Sequence, residues 1–206
     1  MTPDDYDEKA TRALASAKLL LTHGDTEGAC NRAYYAMFDA AHAALMRSGA
    51  HINAAETKTH SGLIGAFGKY LVKTGLVPPE LGRSLNMVED VRLLADYSDQ
   101  QIAPEEAEWA VKQANGFLAK LASVFLEKAT LAIDPNAQFK PINPAVPCIG
   151  RIVAATSAYC VQHIGQSSYV IHQFAHPVTD KPIDIVYKNG EPALKPPPSH
   201  NLSLGH

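Results

Sequence analysis

Asn31-Arg32-Ala33-Tyr34-Tyr35-Ala36-Met37-Phe38-Asp39-Ala40-Ala41-His42, read together with Arg92-Leu93-Leu94-Ala95-Asp96-Tyr97, decides the fold class of this chain. Apolar residues recur at helical spacing in both stretches, with chemically capable groups set among them. An Arg, an Asp and several Tyr hydroxyls inside a helical bundle must find partners, because burying such groups unpaired is strongly unfavourable. Outward from these stretches, residues 4–23 place Ala10, Leu14, Ala17, Leu20 and Leu21 at helical spacing and stop at His23-Gly24. Asp25 or Thr26 caps a second, Ala-rich helix that runs to Arg47-Ser48-Gly49. The polar connection Asn53-Ala54-Ala55-Glu56 leads to a third helix expected over 57–74 and ended by Gly75. Pro78-Pro79 opens a fourth at its first turn, with Leu81, Leu85, Val88, Val91 and Leu94 as its apolar set. Ala103-Pro104-Glu105-Glu106 starts a fifth, with acidic residues where the helix dipole favours them. Five helices with short connections predict an antiparallel bundle over residues 1–128.

The composition changes after Ala129. Residues 129–147 hold Pro135, Pro141, Pro144 and Pro147 and read as an extended, Pro-rich linker. Beyond it, four short strands are predicted at 151–156, 159–163, 168–172 and 183–187, the last ending at the hairpin signal Asn189-Gly190. The β module is placed at 148–192, and the tail 193–206, with Pro196-Pro197-Pro198, is expected to be disordered. The predicted class is thus an all-α helical bundle followed by a small all-β module.

Bulk properties narrow the function. A formal net charge of -3 over 206 residues gives no global attraction to nucleic acid or anionic membrane. Residues 1–128 carry 13 Lys and Arg against 17 Asp and Glu, and residues 129–206 carry 5 against 4. Any polyanion site must therefore be a local basic patch. The start Met1-Thr2-Pro3-Asp4-Asp5 is acidic where a secretory leader would be basic, and no apolar run approaches a membrane span. Cys30, Cys148 and Cys160 are an odd set without a CxxC pair. Reduced thiols, a cytoplasmic location and no membrane partner are the expectation.

Residues 5–126 resemble the HEPN family (higher eukaryotes and prokaryotes nucleotide-binding), in its small stand-alone prokaryotic branch. The resemblance rests on residues 31–38, on Lys58-Thr59-His60-Ser61-Gly62, on Arg92 with Asp96-Tyr97, and on Pro104-Glu105-Glu106-Ala107 leading to Phe117-Leu118. It implies a helical bundle that dimerises, and a role in a plasmid, toxin–antitoxin or defence locus, with a nucleotidyltransferase-type antitoxin as partner. Ribonuclease members of the wider superfamily carry Arg followed four to six residues on by His. His supplies acid–base chemistry near neutral pH, and Arg stabilises phosphate charge. Here Arg92 is followed five positions on by Tyr97, and no His falls in the window. Tyr, with an ordinary pKa near 10, is a poor base at pH 7.

Each candidate has a structural and a functional reading. Arg92 and Asp96 can form a simple i,i+4 pair, or Arg92 can meet a phosphate. Tyr97 can pack at the helix end or replace the missing His. Tyr34, Tyr35 and Phe38 read as core or dimer-interface aromatics, with Tyr35 also a stacking candidate. Arg32 can face the same groove as Arg92. His60, near a helix N-terminus, can cap or meet a ligand phosphate. The catalytic candidates are Arg92, Asp96 and Tyr97; the RNA- or nucleotide-binding candidates are Arg32, Tyr35, His60 and Arg92. No metal site is expected, since His42, His51 and His60 lack ligand spacing, and no cofactor is expected.

Residues 149–190 resemble a KfrB domain, a module of plasmid-encoded proteins. The matching residues are Gly150-Arg151-Ile152-Val153-Ala154, Val161-Gln162-His163-Ile164-Gly165, Tyr169-Val170-Ile171-His172 and Ile183-Asp184-Ile185-Val186-Tyr187. Gln162 and His172 lie on adjacent predicted strands and can bond each other; with Arg151 they form a second candidate site. The leading reading is a HEPN-type protein associated with RNA or a nucleotide, lacking the standard ribonuclease motif and more a binder than an enzyme. The alternatives are a ribonuclease toxin with Tyr97 in place of His, and a dimeric adaptor recruiting a partner through the β module. A homodimer is expected through helix two, which is apolar nearly all round and carries Ala33, Ala36, Ala40, Ala41, Ala43 and Ala44.

Overall fold

The computed structural model describes residues 1–53, 56–97 and 102–195. Five helices precede a six-stranded sheet: α1 (Pro3–Thr22), α2 (Thr26–Arg47), α3 (His60–Phe67), α4 (Pro79–Tyr97) and α5 (Pro104–Ile133). Local chemistry sets their ends. The Thr2 hydroxyl accepts from the Asp5 backbone N–H while the Asp5 carboxylate accepts from the Thr2 N–H, a reciprocal cap on α1. The Asp25 carboxylate accepts from the Gly28 N–H to start α2. Gly24 (φ 79°) and Gly75 (φ 74°) end the first and third helical segments in the left-handed conformation that side chains resist.

The third helix departs from its predicted span of 57–74. Thr59 supplies the cap, its hydroxyl accepting from the Gly62 N–H, so α3 starts at His60. From Gly68 to Val72 the chain widens into a π-helical turn, closed by the Lys73 N–H on the Gly68 carbonyl at 3.0 Å. Gly62, Gly65 and Gly68 provide little side-chain packing to hold a regular helix there.

α2 is the axis of the bundle and packs against α1, α3, α4 and α5. Ala29, Cys30, Ala33, Tyr34, Ala36, Met37, Ala41, Ala43 and Ala44 are at most 1% exposed. The alanines let neighbouring backbones approach closely, and the bundle covers most of the helix, with Met46 left 46% exposed near its C-terminal end. The six alanines named for a homodimer contact are thus buried within one chain. α4 differs in the same way. Leu81, Leu85 and Val88 point inward as expected, but the next inward position is Arg92, 9% exposed, while Leu94 is 50% exposed.

The strands are β1 (Gln138–Phe139), β2 (Cys148–Ala155), β3 (Cys160–Gly165), β4 (Ser168–His172), β5 (Ile183–Lys188) and β6 (Glu191–Leu194), in the order β1-β4-β3-β2-β5-β6. Two of them, β1 and β6, exceed the four predicted. β1 runs parallel to β4 from inside the Pro-rich stretch. β6 returns from Asn189 (φ 53°) and Gly190 (φ 84°), a two-residue turn whose positive dihedrals suit the twist of a hairpin. Gly150 sits at a close approach of β2 to β3: a Cβ there would lie 1.8 Å from the His163 carbonyl oxygen. The disorder predicted over 193–206 does not hold at Ala193 and Leu194, which pair with Val186 and Ile185 in β6, and from 196 on it falls outside the described residues.

One face of the sheet packs on α5. Tyr159, Val161 and Tyr169 form a buried cluster with Leu126, against Ala119 and Ala122 of the same helix. The opposite face buries Ile152, Cys160 and Ile185 under Phe174, Ile183 and Tyr187. Helices and sheet thus share apolar surface through the C-terminal half of α5.

Candidate functional site

Helix periodicity puts Tyr34, Tyr35 and Phe38 on adjacent faces of α2, and α3 and α4 close over them. The Tyr34 hydroxyl lies 2.8 Å from Nδ1 of His60, the first residue of α3. His60 is only partly buried, and its ring lies 4.9 Å from Phe38, 5.5 Å from Tyr34 and 6.0 Å from Tyr35, centre to centre. From α4, the Arg92 guanidinium sits 5.4 Å from the Tyr34 ring centre and 5.7 Å from that of Tyr35. Exposed Arg32 covers Tyr35 at 5.0 Å. Two cations thus share one aromatic ring, and each cation is attracted by its electron-rich face.

Electrostatics sharpen the arrangement. Burial pushes the Tyr34 phenol above its usual range, the Glu89 carboxylate pushes it further, and the Arg92 charge opposes both. Tyr34 is therefore a firmly protonated hydroxyl at neutral pH. Its contact with Nδ1 orients the His60 ring and leaves Nε2 as the other polar atom of the imidazole.

Arg32, Tyr35, His60 and Arg92 are thus gathered around Tyr34, although they come from three helices. Asp96 and Tyr97 belong to the last turn of α4, but their side chains lie outside the described residues. The sequence reads Tyr34 as a core or dimer-interface aromatic, of which the structure shows the first, and does not single out Glu89. The one available signal was the inward spacing 81, 85, 88, 92 on α4, which puts Arg92 against α2. His42 is a packing residue, stacked on Tyr6 at 4.7 Å with burial holding its pKa down. Among the described residues, no three His, Cys, Asp or Glu side chains converge as metal ligands would. No helix among them is long and apolar enough to cross a membrane.

The β-module candidates separate. Gln162 and His172 are fully buried and form a chain of hydrogen bonds. The Tyr187 hydroxyl donates to His172 Nδ1 at 2.8 Å, and His172 Nε2–H donates to Gln162 Oε1 at 3.0 Å. The Gln162 amide then donates to the carbonyls of Ile183, Gly150 and Cys148 at 2.9, 3.1 and 3.2 Å. Every polar atom of this chain has a partner, so it staples β2, β3, β4 and β5 together. Arg151 is exposed and pairs in register with His163, apart from that network.

Burial lowers the His172 pKa from 6.5 to about 4, and Nδ1, already accepting from Tyr187, has no room for a proton. The folded state therefore binds this proton less readily than the unfolded chain. Stability is expected to be flat above about pH 6.5 and to fall as pH drops from there towards about 4, with a slope approaching one proton. Denaturant unfolding from pH 8 to pH 4, compared with His172→Asn, checks this: the His-dependent part of the slope should vanish in the variant.

Residues 4–124, which hold the whole aromatic–cation cluster, match the HEPN domain family. UPF0332 protein glr0978 of Gloeobacter violaceus is 32% identical over 130 residues, 61% of this chain and 98% of that protein. A UPF0332 protein of Thermotoga maritima is 37% identical over 112 residues, 53% of this chain and 80% of the other. The protein named "Putative toxin MJ0605" of Methanocaldococcus jannaschii is 32% identical over 120 residues, 58% and 86% of the two chains. With more than half of its length matched, this chain belongs to the HEPN domain family.

Proposed function

We propose that the cluster around Tyr34 binds a phosphate-bearing ligand, RNA or a nucleotide, and that the protein acts in a toxin-like system. The observation that carries this reading is Tyr35, held between the exposed Arg32 and the buried Arg92, beside a half-exposed His60. Arg32 and His60 meet the phosphate from the rim. Arg92 lies beneath as a positioning residue that fixes both tyrosine rings and adds positive potential. Such a local patch is what an acidic chain needs to hold a polyanion. The similarity to a protein named as a toxin favours the toxin-like role, and a cognate antitoxin, of nucleotidyltransferase type, belongs to the same proposal. The KfrB-like reading of the β module would place the gene on a plasmid.

A second reading, RNA cleavage, is favoured by one distance. The motif lacks a His after Arg92, but the Tyr34 hydroxyl ties His60 Nδ1 into the same cluster at 2.8 Å. An oriented imidazole on a phosphate site is suited to acid–base work on a ribose 2′-hydroxyl. His60, from another helix, then takes the role that sequence reasoning assigned to Tyr97.

Filter binding with short single-stranded RNAs and thermal shift with mononucleotides test the first reading. Arg32→Ala should weaken binding by about tenfold, the effect of losing one charged contact. Equal binding by wild type and by Arg32→Ala and His60→Ala would overturn the site. Incubation with total RNA separates the readings: cleavage by wild type that is lost in His60→Ala and kept in Tyr97→Phe supports the enzyme.

A further inference from the structure

α4 carries two apolar faces. Leu81, Leu85 and Val88 fill the bundle core, and a second series, Met87, Val91 and Leu94, repeats at i, i+4 and i+7, with Val91 half-buried at the edge of the core and the other two turned outward. Met87 is 52% exposed and Leu94 50% exposed. Polar residues at these outer positions would satisfy a free-standing bundle, so the apolar stripe calls for a covering surface. Beside it, a cleft of about 440 Å³ runs between α4 and α5, lined by Met87, Asp90, Val91, Glu105, Glu106 and Trp109. Trp109 is the single tryptophan of the chain and is only partly buried. Asp90, Glu105 and Glu106 are exposed, and the lining contains no basic residue.

We infer that this cleft is the docking site of a cationic amphipathic helix from a partner protein, whose apolar side chains sit on Met87, Val91 and Trp109 while its Lys or Arg residues meet Asp90, Glu105 and Glu106. The spacing of the apolar residues fits the helix-in-groove mode, in which anchors recur every three or four residues. A large aromatic side chain in a cleft ringed by polar groups is the usual composition of a binding hot spot. The acidic rim selects the occupant. A second copy would bring three more carboxylates to the same contact and no basic residue from its own cleft lining to meet them. RNA is repelled by the same rim. The inference is independent of the Tyr34 cluster, which shares no residue with the cleft lining.

Trp109 is a built-in reporter. The full-length protein is titrated with a synthetic amphipathic helical peptide of leucine and lysine, following tryptophan emission, with a leucine–glutamate peptide of the same pattern as control. A blue shift with the lysine peptide alone is expected. Asp90→Asn/Glu105→Gln/Glu106→Gln, checked for unchanged helix content by circular dichroism, should weaken it about tenfold. Met87→Glu should abolish it, and Arg32→Ala should leave it unchanged. No shift, an equal shift with both peptides, or equal affinity in the neutralised variant would overturn the proposal. So would a shift that appears on concentrating the protein alone, with a doubling of mass in light scattering, which would assign the face to a second copy.

Discussion

Tyr34→Ala is expected to lower the stability of the bundle by about 3–5 kcal/mol, the range for truncating a fully buried aromatic side chain. Tyr34 is 0% exposed and touches Tyr35, Phe38, His60 and Arg92, so its removal leaves a cavity and strips a buried guanidinium of one aromatic face. Tyr34→Phe separates packing from chemistry. It keeps the ring and removes only the hydroxyl on His60, which should cost about 0.5–1.5 kcal/mol. Urea unfolding followed by far-ultraviolet circular dichroism measures both. RNA binding and cleavage, assayed on the well-folded Phe variant, then report whether the hydroxyl orients His60. A Tyr34→Ala loss below about 1 kcal/mol would mean the cluster is not part of the core.

Gln162→Leu is expected to be the most damaging single change in the β module. The side chains are similar in size, so the effect reads polar satisfaction and not volume. The substitution deprives the carbonyls of Cys148, Gly150 and Ile183 of their shared amide and leaves His172 Nε2–H without an acceptor. A buried group left unsatisfied costs about 1–3 kcal/mol, so the loss should reach at least about 3 kcal/mol. Hydrogen exchange should show it as loss of protection across β2, β3 and β4. Because the sheet shares its core with Leu126 and Ala122, protection at the C-terminal end of α5 should fall with it, while α2 keeps its own. The double variant Gln162→Leu/His172→Phe should recover part of the stability, since it removes both ends of one bond. A Gln162→Leu protein as stable as wild type would show that the hydrogen-bond chain is not what binds the strands.

Much of this architecture is legible along the chain because it is local. The cap at Asp25, the stops at Gly24 and Gly75, and the hairpin at Asn189-Gly190 each depend on a few neighbouring residues and their allowed dihedrals. An Ala-rich helix apolar on nearly every side could only be central or covered by a second chain. Counting residues does not choose between these, because coverage is a property of how four other helices cross it. α4 posed the same problem. Leu94 and Arg92 are two positions apart and compete for the inward face, and intrinsic hydrophobicity favours Leu94. The pair of tyrosine rings on α2 reverses this by giving the guanidinium a buried surface it can occupy, at the cost of an exposed leucine.

The candidate site was readable as separate residues, Arg32, Tyr35, His60 and Arg92, but not as an arrangement. The Tyr34–His60 contact joins positions 26 apart, and the start of α3, set by Thr59, decides that His60 and not a neighbour faces α2. Likewise Gln162 and His172 were an expected pair, whereas Tyr187, the third member, arrives from β5, three places from the strand of His172 in the sheet. Short-range steric and capping preferences are written into neighbouring residues and can be read from them. Which side chains meet across helices and strands follows from the packing of the whole molecule, where the burial of many apolar groups outweighs the preference of any one.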